Sequence, residues 1–477
     1  MAALALLALP LGGARDTEFD AFPAYLWRTE HLGRPLPAEL LALTGGTDIP
    51  REDSAAWVLD GGGRFYLRHA PGRNALHLDR EAPAQAEQLE DWRARRDPRA
   101  LARRPCLSDP ETAESLLAQL ERSLALSDRG AADFVALGDE VSVTPWGDPL
   151  DLCRSPHCDA AWEAWLAEEG ARYGLAEGTS RPTTDAVLQH PTGARLAAWL
   201  AARAFQREVL ASLLERLAER VEALRPGARI ALLGLIGETA HGGVDLERVA
   251  PFLDVAEPYA VGDARERLAT MRVLDGRPKT LLATVFLDRD PTPAQLAEQL
   301  AAYADSSVDG VVVWSDRELG ARTELKAPLA AGLRALRRGP RPADRDPRGS
   351  AWLASDDSLA HSWLRDARAD GPAWWRRFAG YQERHGQFER RRRAWFEAAR
   401  KRGEHPGAVD VGRVGLDLLP RFESLNASGL SVLSDEELAA LDRYVQAGGQ
   451  ILVEPPFATL RPDGSRRAAG ALPAWAR

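Results

Sequence analysis

Lysine is nearly missing from this chain: Lys279, Lys326 and Lys401 are the only three, so almost all of its positive charge is arginine. The skew reads as a coding bias and not as an arginine-based binding function. Positive charge is also the minority, with Lys+Arg 61 against Asp+Glu 70 and a net charge of −9, so the average field repels phosphate backbones and speaks against nucleic acid as a partner. No run approaches the eighteen or so consecutive apolar residues of a membrane span. Three cysteines are too few for a disulfide framework. There is no G-x-G-x-x-G, no Walker loop, no H-E-x-x-H and no G-x-S-x-G, which sets aside several familiar reaction classes.

What is present is a chain of 477 residues, 45% hydrophobic and 27% charged, long enough for two globular domains with sizeable cores. Residues 1–18 begin with an apolar run, Ala2 to Leu11, followed by Gly12-Gly13-Ala14, small residues of the kind a signal peptidase accepts, but no basic residue precedes the run. It reads as a truncated or mis-started signal peptide, which would make the protein exported, or as a packed or disordered tail of a cytoplasmic one.

From Phe19 to about Arg338 the chain alternates short β-rich runs with helical stretches, the pattern of parallel βα units. Eight strands are expected: Phe22–Trp27, Thr47–Ile49, Arg64–Arg68, Asp133–Leu137, Arg229–Leu235, Phe252–Ala256, Thr280–Leu287 and Gly310–Trp314. Asp109-Pro110 supplies an N-cap and a first-turn proline for a helix over Glu111–Leu126. Phe205, Val209, Leu213, Leu217, Val221 and Leu224 form a stripe at helical spacing, stopped by Pro226-Gly227. Eight such units over residues 19–338 fit an α/β fold of the (β/α)₈ TIM barrel type. Gly45-Gly46 and Gly61-Gly62-Gly63 leave little room for full helices in the second and third units.

Residues 339–349 lie in a Pro-, Gly- and charge-rich stretch that reads as a linker. Beyond it, residues 350–477 carry a second, smaller α/β domain. Ser350–Ala354 reads as a strand and Ser358–Arg368 as a helix. Ser434-Asp435-Glu436-Glu437 is a capping box opening a helix to Ala447, and Gly448-Gly449 precede a strand over Gln450–Val453. The run Arg390–Arg393 reads as a solvated helix face.

In a barrel, catalytic groups sit at the C-terminal ends of strands, and these ends carry Asp139-Glu140, Glu238, Glu257, Asp288 and Asp316. Glycoside hydrolysis needs two carboxyls, one protonated to donate to the leaving oxygen and one ionised to attack the sugar or activate water. Glu140 is the first candidate, since it follows a hydrophobic strand and adjacent Asp139 can raise its pKa by like-charge repulsion. Asp-Glu after a strand is equally an ordinary N-cap, and Glu257 and Asp288 fit solvated loop or salt-bridge roles as well. Trp314 can offer a platform to the apolar C–H face of a sugar, and Tyr66, His69 and Tyr259 can line the same cleft. Each also fits plain packing. Such chemistry requires no cofactor. Cys106, Cys153 and Cys158 with His157 can complete a tetrahedral structural zinc site, while a disulfide or three free thiols is the alternative.

The stretch Leu137-Gly-Asp-Glu140, followed by Pro149-Leu-Asp-Leu-Cys153-Arg-Ser-Pro-His-Cys158-Asp-Ala-Ala-Trp-Glu-Ala-Trp-Leu166, resembles the β-galactosidases of glycoside hydrolase family 42 and their relatives. Trp363-Leu364 through Trp374, Leu433-Ser-Asp-Glu-Glu-Leu438 and Tyr444-Val-Gln-Ala-Gly-Gly449 resemble the amidotransferase-like β-galactosidase trimerisation domain. The resemblance implies a (β/α)₈ barrel followed by that α/β domain, a homotrimer, and retaining hydrolysis of terminal β-galactosides by two glutamates, after the fourth and seventh strands. Glu140 matches the acid/base.

The departures are specific. Asp139 stands where the family usually has Asn. No glutamate ends the seventh strand, where Asp288 is the only nearby carboxylate, so the resemblance leaves Asp288 as nucleophile, Glu257 as a shifted one, or a degenerate barrel that binds carbohydrate or scaffolds an assembly. An inverting hydrolase is a further reading. Ser155 replaces the middle cysteine of the family's cluster, so zinc would require His157 or another group. No cysteine follows Cys158, which leaves the second domain a structural or oligomeric role, and the chain stops soon after Val453, as an incomplete domain would.

Overall fold

The computed structural model describes residues 22–50, 56–78, 83–126, 132–145, 149–235, 237, 239–259, 262–277, 279–304, 306, 308–339, 346–377, 379 and 386–476. The 1–18 tail, Glu238 and most of the 339–349 linker lie outside the described residues.

Eight strands, β1 (Ala24–Leu26), β2 (Gly46–Pro50), β3 (Arg64–Arg68), β4 (Val135–Asp139), β5 (Ile230–Leu233), β6 (Val255–Glu257), β7 (Thr280–Phe286) and β8 (Gly310–Trp314), close in sequence order into a barrel. Every neighbouring pair is parallel, and β8 returns to β1 with Ala24 opposite Val311. Each expected strand exists; Arg64–Arg68 and Gly310–Trp314 fall where expected, and the other six have shifted ends. A register irregularity between Ala136 and Gly138 carries β4 past the expected end at Leu137 to Asp139. The sixth strand starts late, because the backbone turns through Val249, Phe252 and Leu253 before Asp254 joins Ile230.

Period-2 alternation turns Tyr25, Phe134, Ala231, Val255, Leu282 and Val312 into the barrel interior, which side chains fill. Gly46 is required there, since a Cβ would stand 2.9 Å from both the Ala24 carbonyl oxygen and the Tyr25 ring. The helices before and after β2 are short, Ala38–Thr44 and Ala56–Asp60, as the glycine pairs imply. Asp109 accepts from the Glu111 N–H at 3.0 Å to open the helix Pro110–Leu126. The apolar stripe belongs to a 32-residue helix, Gly193–Leu224, about 48 Å long.

The second domain is a four-stranded parallel sheet in the order β10-β9-β11-β12, built from β9 (Gly349–Ala354), β10 (Gly407–Asp410), β11 (Phe422–Asn426) and β12 (Gln450–Leu452). Ser434 and Glu437 form the expected capping box at the start of the helix Asp435–Gln446, with bonds of 3.1 and 2.7 Å. The arginine run is not wholly solvated: Arg392 is buried and ion-paired with Glu389 one turn back. Trp352, Phe388, Phe422 and Tyr444 centre this domain's own core. The helix Asp356–Ala369 places Trp363 and Leu364 in the barrel's apolar cluster, with Trp363 stacked 6.5 Å from Trp199.

Candidate active site

Four strand ends supply the C-terminal mouth of the barrel with left-handed backbone. Among the described residues six non-glycine residues have positive φ, and four of them, His69, Glu140, Tyr259 and Asp290, follow β3, β4, β6 and β7. Such backbone is disfavoured by about 1–2 kcal/mol per residue and persists where surrounding bonds impose it. At Glu140 (φ +52°) the imposing bond runs from its N–H to the Leu233 carbonyl of β5 at 3.1 Å.

Glu140 is the exposed member of a carboxylate cluster. Its side chain is 24% exposed, and its Oε2 lies 3.5 Å from Nδ1 of His77. Asp139 and Glu257 sit deeper, at 5% and 2% exposure. Tyr259 donates its hydroxyl to Asp139 Oδ1 at 2.7 Å, and the Gly234 N–H donates to Glu257 Oε2 at 2.9 Å. Gly234 makes room for the first of these bonds: a Cβ there would lie 2.4 Å from Asp139 Oδ1 and 2.6 Å from the Tyr259 oxygen. Burial pushes Asp139 above the usual carboxylate range against the bond from Tyr259. Burial pushes Glu257 well above it, with the charges of Asp139 and Glu140 adding, and its Oε1 has no hydrogen-bond partner.

Around this cluster stand an aromatic wall and a basic one. Trp314 at the end of β8 lies 5.0 Å from Trp27, and the Arg68 guanidinium covers the Trp27 ring at 4.5 Å. Arg68 is fixed by an ion pair to buried Asp48 at 2.9 Å, and Asp48 also accepts from the Arg28 N–H at 2.8 Å. His69 sets its ring edge-on to Trp27 at 5.8 Å, and burial with Arg68, Arg73 and His77 nearby holds its pKa well below that of a free imidazole. His69 therefore stays neutral at pH 7.

Not every residue singled out from sequence reaches the mouth. Tyr66 is fully buried, stacked on Phe134 at 4.5 Å, because its position points into the barrel below the rim. Asp316 is also buried, bound by the Thr29 N–H at 2.7 Å and His31 at 2.9 Å, and it staples β8 to the turn after β1. Asp288 is exposed, and partial burial, with Glu318 adding, raises its pKa against Arg289. The last residue of β7 is Phe286, edge-on to Tyr259 at 5.5 Å and capped by Arg289 at 3.9 Å. Sequence reading missed Asp48, Arg68 and Phe286; alternation within β2, β3 and β7 was the signal that placed them inward.

The cysteines converge but not as a tetrahedron with His157. Cys106, Cys153 and Cys158 are free and buried, and Cys106 is drawn down by hydrogen bonds from the Cys153 and Cys158 thiols. Ser155 occupies the remaining side, its Oγ 2.9 Å from Cys106 Sγ and 3.5 Å from Cys153 Sγ. Arg181 donates to Cys158 Sγ at 3.3 Å. His157 faces away, 55% exposed and 4.0 Å from Asp109, since the second residue of a helix opened by Ser155 points outward. Among the described residues no group of three or more His, Cys, Asp and Glu side chains is placed to hold a metal ion, so the zinc set expected from sequence does not fit.

A closed eight-stranded parallel barrel with carboxylates and aromatics at its C-terminal mouth, followed by a parallel α/β domain, has the fold of the family 42 β-galactosidase structures. The catalytic mutant of Gan42B, a GH42 β-galactosidase from G. stearothermophilus, superposes with a TM-score of 0.65 at 15% identity, over 94% of this chain and 73% of that one. The β-galactosidase of the Antarctic haloarchaeon Halorubrum lacusprofundi gives 0.64 at 14% identity, over 94% and 75%. The GH42 exo-carrageenase of Bacteroides ovatus gives 0.58 at 9% identity, over 96% and 68%. No family model matches the chain, and no curated protein matches it in sequence. No described helix is long and apolar enough to cross a membrane.

Proposed function

We propose that this protein is a glycoside hydrolase acting on β-linked, galactoside-like sugars, with Glu140 as acid/base and Asp288 as the second carboxylate. The observation that carries the reading is Glu140 itself: the most accessible carboxyl of a buried cluster, on constrained backbone at the C-terminal end of β4, the rim that also carries Trp314 at the end of β8. A retaining mechanism requires the two carboxyls about 5–5.5 Å apart and an inverting one about 6.5–9.5 Å. The resemblance gives the α/β domain a role in assembling copies of the chain into a trimer, outside the chemistry.

The test is turnover of β-galactosides with good and poor leaving groups by the wild type and Glu140→Gln. Loss of a general acid lowers the rate by about 10²–10⁴-fold, and the loss falls hardest on poor leaving groups. Unchanged turnover of those substrates sinks the assignment.

A second reading, a barrel that binds carbohydrate without cleaving it, is favoured by Phe286, an apolar ring at the strand end where the resemblance calls for a nucleophile. Under it the wild type binds galactosides without turnover, and Asp288→Asn leaves the affinity unchanged.

A further inference from the structure

A cavity of about 220 Å³ lies between the barrel and the α/β domain, and its walls are mostly charged. The α/β domain contributes Asp356 and Asp357 from the first turn after β9, Asp410 from the end of β10, and Glu437 from the capping box. The barrel side contributes four more carboxylates, Glu169, Glu208, Asp245 and Glu247, but only three cations, Arg172, Arg207 and Arg248.

Ion pairs cross the gap. Arg207 meets Asp356 at 3.1 Å, and Arg172 stands 3.7 Å from Glu437 and 3.9 Å from Asp357. Arg267 reaches Asp410 at 3.3 Å and Glu247 at 3.5 Å from behind the wall, and Arg413 pairs with Glu247. Arg248 is spent on Glu208 at 3.1 Å within the barrel. Counting all five guanidiniums, the described carboxylates still outnumber them.

Burial raises Asp356, Asp357 and Glu247 above the usual carboxylate range. Burial alone would lower an arginine, yet Arg172 is raised by Tyr173, Asp357, Glu437 and Asp410, so the local field is negative. Glu437 is pushed up to about 7 by burial, with Asp357 and Asp410 adding against the Ser434 N–H and Arg172. The capping box fixes its Oε2 on the Ser434 N–H at 2.7 Å. Oε1, beyond hydrogen-bond distance of Arg172, is the atom open to a proton.

We propose that this cavity is a proton-operated latch: a proton on Glu437 holds the charged side of the α/β domain against the barrel, and its loss toward neutral and alkaline pH loosens that side while the Trp199–Trp363 contact keeps the domains together. The sign follows from linkage. A carboxyl that binds its proton more tightly when docked favours docking at low pH, and the advantage is lost as pH rises from the free value of 4.5 to about 7. Over that window the closed-to-open ratio falls by up to about 300-fold.

Hydrogen exchange on the full chain at pH 5 and pH 8, corrected for intrinsic rates, tests this. Wild type is expected to lose protection at pH 8 in the first turn of Asp356–Ala369 and in the turn Gly170–Tyr173. Glu437→Gln keeps an oxygen for the Ser434 N–H, hence the cap, and is expected to stay protected at both pH values. Asp357→Asn removes a neighbouring charge and is expected to shrink the change and move its midpoint to lower pH. Equal protection of wild type at pH 5 and pH 8, or a Glu437→Gln variant that opens as wild type does, overturns the proposal.

Discussion

Tyr259 and Asp139 are joined by a 2.7 Å hydrogen bond that ties the turn after β6 to the end of β4 across the barrel mouth. Burial holds Asp139 above its ordinary pKa, and this hydroxyl is the foremost of the groups that oppose the shift, ahead of Arg73 and Arg68.

Tyr259→Phe is therefore expected to cost about 1–3 kcal/mol, the penalty of removing a partner from a buried acceptor, and to raise Asp139 further. A carboxyl raised on folding loses stability as pH climbs from its unfolded value through its folded one. The deficit relative to wild type should be larger at pH 7 than at pH 4 in urea unfolding. An equal deficit at both would show that the lost bond is not to an ionising group.

Trp314→Ala is expected to weaken galactoside binding by about 5–10-fold, the equivalent of about 1–1.5 kcal/mol for an aromatic contact. Its ring is partly exposed and backed by Trp27 at 5.0 Å, so the variant should fold. Isothermal titration reads the change, and an unaltered affinity would remove Trp314 from the sugar platform.

Ser155 bridges two thiols and caps the helix Pro156–Glu169 by accepting from the Cys158 N–H at 3.2 Å. Ser155→Ala should cost about 1–2 kcal/mol in thermal or urea unfolding. Ser155→Cys supplies the fourth soft donor that a tetrahedral zinc site needs, and metal analysis after dialysis against zinc should find one equivalent bound. Failure to bind would show that the thiols are held too far apart for a common ion.

His241 governs the acid side. Burial, with Arg203 adding, depresses it to about 3, and its Nδ1 is 2.6 Å from an Arg203 guanidinium nitrogen. As pH falls from about 6.5 toward 3 the unfolded chain takes a proton that the folded one refuses, removing up to about 4–5 kcal/mol. His241→Gln should flatten this limb in unfolding measured between pH 6.5 and 4. His361, depressed to about 4 by burial, leaves part of it in place. An unchanged limb would mean that the proton is taken up elsewhere.

Local pattern accounts for what sequence disclosed. All eight strands, the helix stop at Pro226-Gly227 and the Ser434 box are short-range signals, in which propensity and capping act within a few residues. The barrel order followed from alternation alone. What escaped is the product of closure. Arg68 meets Asp48 only because β2 and β3 lie side by side, and Tyr259 meets Asp139 only after β6 has come round to β4. The seventh strand was expected to run to Leu287 and ends one residue earlier, on Phe286, with Asp288 exposed just beyond it. Tyr66 stood next to a strand end in sequence but one layer too deep in the barrel.

The helix Gly193–Leu224 bears on more than the barrel wall. One side of its first half carries Trp199 to Trp363, and Arg207 to Asp356, while Leu213, Leu217 and Val221 farther along are buried in the barrel's own cluster. A single rod thus walls the barrel and seats Trp363 and Asp356 of the α/β domain, whose own core lies elsewhere. Genetic excision of the α/β domain would expose that rod's tryptophan to water, and the isolated barrel is expected to be less stable for it. Calorimetry is expected to record a single transition, and two resolved transitions would show that the domains unfold separately.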